Sequence, residues 1–194
     1  MSARIALLTG SLPPCDVCGV GDYTFRLHQA LQAHWPVEVL RVPIPGLMEP
    51  ELFRVFEGRD LIHVQYPTEG WGRSLLPGLI GVRRGRAKLL LTLHEWSAMN
   101  GLRRRSLGPL LHAADGFVFV TPFERDAFIA SHPRLARKPT WVVPIGVNLT
   151  VPEVSEAEVL AHRAAQLEDG FDLLLTHFGF LHAGKQPEKL LMTL

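Results

Sequence analysis

The chain has 194 residues, of which 47% are hydrophobic and 20% are charged, and its 20 lysines and arginines nearly balance 19 acidic residues. This length and apolar content suit one full domain and part of another, and they exclude an intrinsically disordered protein. The formal net charge of +1 provides no general attraction for nucleic acid, so any basic function depends on a local patch.

The chain start and the cysteine content favour a cytoplasmic protein. A single arginine precedes a short apolar run that ends at Thr9, which is too short for a signal peptide or a membrane span. Cys15 and Cys18 are the only cysteines. No disulfide framework is therefore expected, and a reducing compartment is the default.

Short apolar runs alternate with amphipathic stretches, which predicts a Rossmann-like α/β fold with a doubly wound, mostly parallel sheet. Continuous apolar runs, typical of strands covered on both faces, predict strands at 5–9, 37–42, 61–65, 88–93, 116–120, 141–143 and 173–178. Helical periodicity predicts helices at 22–34, 51–58, 75–84, 102–114, 122–132 and 155–167.

Turn-forming residues at 144–152 predict a linker between two domains. Residues 1–152 then form a complete Rossmann-like domain. Residues 153–194 supply a linker, one strand and the start of a helix, which cannot bury a core of their own. We therefore expect the chain to hold only the beginning of its second domain.

The long loop after the first strand carries Gly19 and Gly21 directly before a helix. Unpaired N–H groups and the positive end of the helix dipole favour a phosphate or carboxylate there, although glycines in such loops also serve simply as turn residues. A nicotinamide cofactor is disfavoured, because Thr24 occupies the third glycine position of the dinucleotide fingerprint and the end of the second strand, residues 40–43, lacks the acid that would hold a ribose.

Cys15 and Cys18 form a C-x-x-C pair without a second pair. Zinc needs two more ligands, and only His177 and His182 have a spacing close to that of a known zinc site. We therefore expect no metal. The alternative is a pair of ordinary loop or buried thiols.

Polar side chains follow the third, fourth and fifth predicted strands. His94 begins the loop after the fourth strand, where it can face the crevice, whereas His63 lies within the third strand and is expected to be a hydrogen-bonded core residue. Thr121 is either a helix N-cap before Pro122 or a ligand contact.

Seven lysines and arginines lie between Arg83 and Arg105, against the single acid Glu95. A solvated helix face explains such a cluster. The alternative is peripheral membrane contact, or attraction to a phosphorylated acceptor.

The loops, in this order, resemble those of glycosyltransferase family 4, the group 1 glycosyltransferases with the two-domain GT-B fold. The matching stretches are residues 13–24, 61–66, 91–95, 119–125, 143–148 and 178–185. The resemblance implies transfer of a sugar from a nucleotide-sugar donor to an acceptor, with retention of anomeric configuration and without a metal or other cofactor. It also implies an acceptor-binding first domain and a donor-binding second domain.

The resemblance also implies roles for individual residues. Gly19, Gly21 and Lys185 would bind the donor phosphates, and His94 would be catalytic, close to the transferred sugar. Asp22 and Gln65 would contact the acceptor. Phe180 and Gln186 depart from the family pattern around the lysine. The resemblance further implies a glutamate pair, E-x7-E, that holds the donor and would lie beyond residue 194, so this portion alone is expected to be inactive.

A second hypothesis comes from a different class of protein. The apolar residues 190–194 at the end of the chain favour a non-catalytic binding or regulatory module that pairs with a partner domain or a separate chain.

Overall fold

The structure is a computed structural model that describes residues 3–72, 74–146 and 152–167, with isolated positions between 171 and 192. The chain divides into two compact units, Met1–Leu149 and Thr150–Leu194. The predicted strand at 173–178 and the helix expected after it fall largely outside the described residues. The functional assignment of the two domains stays a prediction.

The first unit is built on six parallel strands in the order β2-β1-β3-β4-β5-β6. The strands are β1 (Ile5–Thr9), β2 (Val37–Arg41), β3 (Leu61–Tyr66), β4 (Lys88–Leu93), β5 (Gly116–Phe119) and β6 (Thr140–Val142). Each predicted strand in this unit is confirmed to within one residue at either end. The predicted Rossmann-like α/β class is confirmed as well.

The helices that flank the sheet are α1 (Gly19–Leu31), α2 (Glu51–Phe56), α3 (Gly78–Arg83), α4 (Gly101–Ser106), α5 (Gly108–Ala113) and α6 (Pro122–Ser131). Three short 3-10 turns at Pro45–Met48, Glu69–Trp71 and Leu135–Arg137 were not predicted. In the second unit, α7 (Glu156–Gln166) begins after Ser155, whose side chain and that of Glu158 form a capping box.

Three predicted helices differ from the structure. The first begins three residues earlier, at Gly19, because Cys18 is extended and ends the loop there. The third begins at Gly78 because a proline at position 77 disfavours helical geometry in the preceding residue. The predicted helix at 102–114 is two helices, since Pro109 lacks an N–H and belongs to the first turn of α5.

Strand order places the switch point of the sheet between β1 and β3. The chain leaves β1 toward β2 on one side and continues from β3 to β6 on the other. The loops at the carboxyl ends of these two strands therefore diverge and leave a crevice, which is the usual ligand position in doubly wound sheets.

Candidate active site

A cavity of about 340 Å³ lies at the switch point of the sheet. The loops that follow several parallel strands line it, and the residues are Cys18, Gly19, Val20, Tyr23, Pro67, Thr68, Glu69, His94, Glu95, Arg103 and Ile145. Its size suits a small polar ligand. The cavity therefore lies where the topology predicts a ligand site.

Close backbone contacts between the loops after β1 and β3 shape one wall of this cavity. The Gly10 N–H donates to Thr68 Oγ1 at 3.2 Å, and the Gly70 N–H donates to Ser11 Oγ at 2.7 Å. A Cβ atom at position 70 would lie 2.0 Å from the Gly10 carbonyl oxygen. Only glycine allows the two loops to approach this closely.

An ion pair also holds the loop that leads into α1. Arg41, at the end of β2, donates from Nε to Asp16 Oδ2 at 2.6 Å and from Nη2 to Asp16 Oδ1 at 3.1 Å. The hydrogen bond from Arg41 lowers the pKa of Asp16, and a second bond from the Leu12 N–H acts in the same direction. The ion pair thus holds the loop against the end of β2, and the Asp16 carboxylate stays ionised.

The amino end of α1 opens onto the cavity. Cys18 is the N-cap residue and makes no side-chain capping bond to the first turn. Gly19 has open space where a side chain would be, so a ligand can approach its backbone. Gly21 differs, because a Cβ there would lie 2.6 Å from the Ser11 carbonyl oxygen.

His94 contributes to the cavity from the end of β4 and is 5% exposed. Its Nε2 lies 3.0 Å from Oε1 of Gln65, which is fully buried behind it on β3. The Tyr23 ring meets the imidazole edge to face, with 4.9 Å between ring centroids. Burial lowers the pKa of His94 to about 4, so the ring is neutral near pH 7.

The loop that carries His94 is anchored on its far side. Glu124 of α6 accepts hydrogen bonds from the Ser97 N–H at 2.7 Å and from Ser97 Oγ at 2.6 Å. Thr121 caps the same helix by accepting from the Glu124 N–H at 3.2 Å. The capping interpretation of Thr121 is therefore confirmed.

Arg103 is a cavity residue that the sequence did not single out. Asn100 caps α4 by accepting from the Arg103 N–H at 2.9 Å, and the Arg103 guanidinium lies 5.6 Å from the Tyr66 ring centroid. Its positive charge shares the cavity with the carboxylates of Glu69 and Glu95. The site thus offers both signs of charge around a neutral histidine.

Comparison with known proteins bears on this geometry. A family model described as Glycosyltransferase Family 4 matches residues 29–151, more than half of the chain. The chain belongs to glycosyltransferase family 4. No curated protein matches it. Membership implies a glycosyltransferase-like function with a sugar donor and an acceptor, and the all-parallel sheet fits the amino-terminal domain of a GT-B enzyme.

The family match begins at residue 29 and so does not include the glycine loop before α1. Roles for Gly19, Gly21 and Asp22 therefore rest on the loop motif and on the geometry at the helix end. The match does include Gln65 and His94, the two buried polar residues at the carboxyl edge of β3 and β4.

The structure brings some of the predicted site residues together and not others. Gly19 and His94 line the cavity, and Gln65 supports His94 from behind. Gly21 is buried against the loop backbone, and Asp22 is exposed in the first turn of α1, outside the cavity lining. Lys185 lies outside the described residues. The role of each of these residues stays a prediction.

Tertiary contacts engage several of the basic residues between 83 and 105. Arg83 donates to the carbonyl oxygens of Leu47 and Glu49, each at 2.8 Å, and Arg84 pairs with Asp115. Arg104 donates to Ser97 O at 2.9 Å. Side chains of this basic cluster thus take part in tertiary contacts, and peripheral membrane contact through the cluster stays a prediction.

In residues 3–72, 74–146 and 152–167, no three histidine, cysteine or acidic side chains cluster closely enough to hold a metal ion. Among the helices described for this chain, none is long and apolar enough to span a bilayer.

Proposed function

We propose that this chain supplies the acceptor-side domain of a retaining glycosyltransferase, which transfers a sugar from a nucleotide-sugar donor to an acceptor at the cavity between β1, β3 and β4. The observation that carries the proposal is His94, a buried and neutral imidazole at the carboxyl end of β4 that lines one cavity together with the amino end of α1.

The chemistry of transfer fits these groups. The bond between the anomeric carbon and the donor diphosphate breaks, a bond to the acceptor oxygen forms, and the acceptor hydroxyl passes its proton to the departing diphosphate. Negative charge grows on the departing diphosphate. The N–H groups of the first turn of α1, beginning at Gly19, and the helix dipole favour that charge.

His94 suits contact with the neutral sugar rather than the phosphates. A ring whose pKa is about 4 carries no charge near pH 7, so it attracts no phosphate and instead exchanges a hydrogen bond with a hydroxyl group. In this proposal His94 orients the sugar while the helix end binds the diphosphate.

Retention follows from the family resemblance and needs no carboxylate nucleophile. Glu69 and Glu95 both line the cavity, but we assign neither to a covalent step. The anomeric configuration of the transfer product, read from its proton coupling constants, would distinguish retention from inversion.

Titration of the isotope-labelled chain with UDP and with UDP-glucose, and with GDP and GDP-mannose, tests the proposal by backbone amide NMR. We expect the Gly19 and Val20 amide signals to shift with nucleotide and nucleotide sugar alike. His94→Ala should weaken binding of each sugar nucleotide at least about tenfold, because the sugar loses a buried hydrogen bond. Binding of UDP and GDP should change little.

His112→Ala is the matched control, because His112 is an exposed histidine on α5, away from the cavity lining. It should bind every probe as the unaltered chain does. If none of the four nucleotides moved the Gly19 and Val20 signals, a donor-phosphate site at the end of α1 would be ruled out.

A further inference from the structure

Four polar side chains form a continuous row beneath the cavity. His94 Nε2 lies 3.0 Å from Gln65 Oε1, Gln65 Nε2 lies 3.1 Å from His63 Nε2, and His63 Nε2 lies 2.7 Å from Thr92 Oγ1. Gln65 and Thr92 are register partners on β3 and β4. Because side chains alternate along a strand, all four lie on one face of the sheet.

The orientation of the Gln65 amide decides which group donates each proton. A carbonyl oxygen only accepts, so His94 Nε2 carries the proton and donates it to Gln65 Oε1. The Gln65 amide nitrogen only donates, so His63 Nε2 carries no proton and accepts. A neutral imidazole has one protonated nitrogen, and His94 Nδ1 is consequently a bare acceptor.

We propose that His63 is a positioning residue for the transfer reaction: acting through the Gln65 amide, it sets the Nε2–H tautomer of His94 and leaves His94 Nδ1 as the hydrogen-bond acceptor for a sugar hydroxyl. The role of Nδ1 rests on the proposed function. The coupling between His63 and His94 does not.

The tautomers of His63 and His94 are coupled because each ring contacts a different end of the Gln65 amide. If Gln65 turned its amide over, its nitrogen would face the proton on His94 Nε2 and its oxygen would face the bare Nε2 of His63. Both contacts would be repulsive unless both histidines changed tautomer together. Because Gln65 is fully buried, water cannot replace either partner.

The charge state of the row agrees with this arrangement. Burial, reinforced by the charge that a protonated His94 would carry, lowers the pKa of His63 to about 4, and burial alone does the same for His94. Both rings are therefore neutral near pH 7, which is the condition under which a tautomer has meaning. Thr92 Oγ1 lies 2.7 Å from His63 Nε2 and orients that ring.

Ring-nitrogen NMR of the chain labelled with 15N-histidine, at pH 8 and without any nucleotide, tests the coupling directly. The unaltered chain should show His94 protonated on Nε2 and bare on Nδ1. In His63→Leu the Gln65 amide loses its second partner, and we expect the ratio of the two His94 tautomers to change at least about fivefold, the equivalent of one net hydrogen bond.

A rescue variant separates positioning from simple packing. Gln65→Glu in the His63→Leu background presents a carboxylate, which only accepts, and should return His94 to the Nε2–H form. A purely structural role for His63 would change the unfolding midpoint and leave the His94 tautomer as it is. An unchanged tautomer in folded His63→Leu would overturn the proposal.

If His63→Leu does not fold, Thr92→Val tests the same coupling. Valine keeps the shape of threonine but removes the hydroxyl that orients His63. It should shift the His94 tautomer in the same direction, while Thr92→Ser, which keeps the hydroxyl, should not. No shift in Thr92→Val would count against the coupling. Since no nucleotide is present, these outcomes are independent of whether the chain binds a donor.

Discussion

His63 and His94 show how burial turns a basic side chain into a neutral hydrogen-bonding group. The pKa of each ring lies at about 4, well below the ordinary value near 6.5. Hydrogen bonds to Gln65 or Thr92 offset the free-energy cost of burying each polar ring. The candidate site therefore depends on two histidines staying uncharged, which makes the folded state sensitive to acid.

We predict that the free energy of unfolding falls as the pH is lowered from about 6.5 to about 5. In that range the unfolded chain takes up protons on His63 and His94 while the folded chain does not, so protonation favours unfolding. Stability is fully present above the unfolded pKa and is lost toward pH 4. The expected slope is up to about 1.4 kcal/mol per pH unit for each histidine.

Urea unfolding at a series of pH values measures this slope. Burial also lowers the pKa of His132, so three histidines contribute to this slope. His94→Gln removes one of them and should reduce the slope between about pH 6.5 and pH 5 by up to about 1.4 kcal/mol per pH unit. That range stays above the pKa of most carboxyl groups, whose own titration destabilises many proteins at lower pH. A free energy that stays constant across the range would contradict the buried, neutral state of both rings.

At the scale of the element, Gly19 and Gly21 in the first turn of α1 have different surroundings. Gly21 is required by packing, since its backbone faces the Ser11 carbonyl oxygen with no room for a Cβ. Gly19 has no such neighbour and lines the cavity. The motif interpretation treats both as phosphate-binding residues, whereas the contacts leave only Gly19 open to a ligand.

We expect Gly21→Ala to destabilise the first unit by about 1–3 kcal/mol, because its Cβ, 2.6 Å from the Ser11 carbonyl oxygen, forces the helix or the loop to move. Gly19→Ala is the matched control in the same turn of α1 and should change the free energy of unfolding by less than about 0.5 kcal/mol. Urea unfolding monitored by circular dichroism measures both. Equal losses in the two variants would show that the Ser11 contact is not what requires glycine.

At the scale of the whole molecule, one aromatic cluster joins the core to the loop that carries His94. Phe128 of α6 lies 5.1 Å from Trp96, 4.8 Å from Phe117 and 5.2 Å from Phe119, measured between ring centroids. Trp96 follows His94 by two residues and is fully buried. Packing of the core therefore sets the position of the site loop.

We predict that Phe128→Ala destabilises the first unit by about 3–5 kcal/mol through lost burial and the cavity that remains. Phe123→Ala is the control, because Phe123 lies on the same helix and is 69% exposed. It should cost less than about 0.5 kcal/mol. Thermal or urea unfolding of the two variants decides the matter, and a similar effect in both would contradict the central place of Phe128 in the core.

Strand positions in the first unit follow from local sequence more closely than helix positions do. A strand buried on both faces must be apolar throughout, so runs such as Ile5–Thr9 and Lys88–Leu93 are recognisable by themselves. Helices α1, α3 and α4 begin where caps and prolines allow, and these single residues are weaker signals than a continuous apolar run. Loop contacts are harder still to predict, because the tight contact of Gly70 with Gly10 joins residues 60 positions apart.

Sequence alone determined the parallel α/β class, the strand positions of the first unit and the family resemblance, and it proposed His94, which lines the cavity, as a site residue. It also contained a pattern that could have predicted the polar row. Polar residues stand two positions apart on two adjacent strands, at His63 and Gln65 and at Thr92 and His94, and this spacing places all four on one face.

Only the tertiary structure decided which residues share the cavity. It selected Arg103 from three consecutive arginines, separated Gly19 from Gly21, and tied His63 to His94 through Gln65. The physical reason is that periodicity and turn chemistry act between near neighbours in the chain. Cavities, hydrogen-bond partners and burial arise only when segments far apart in sequence pack together.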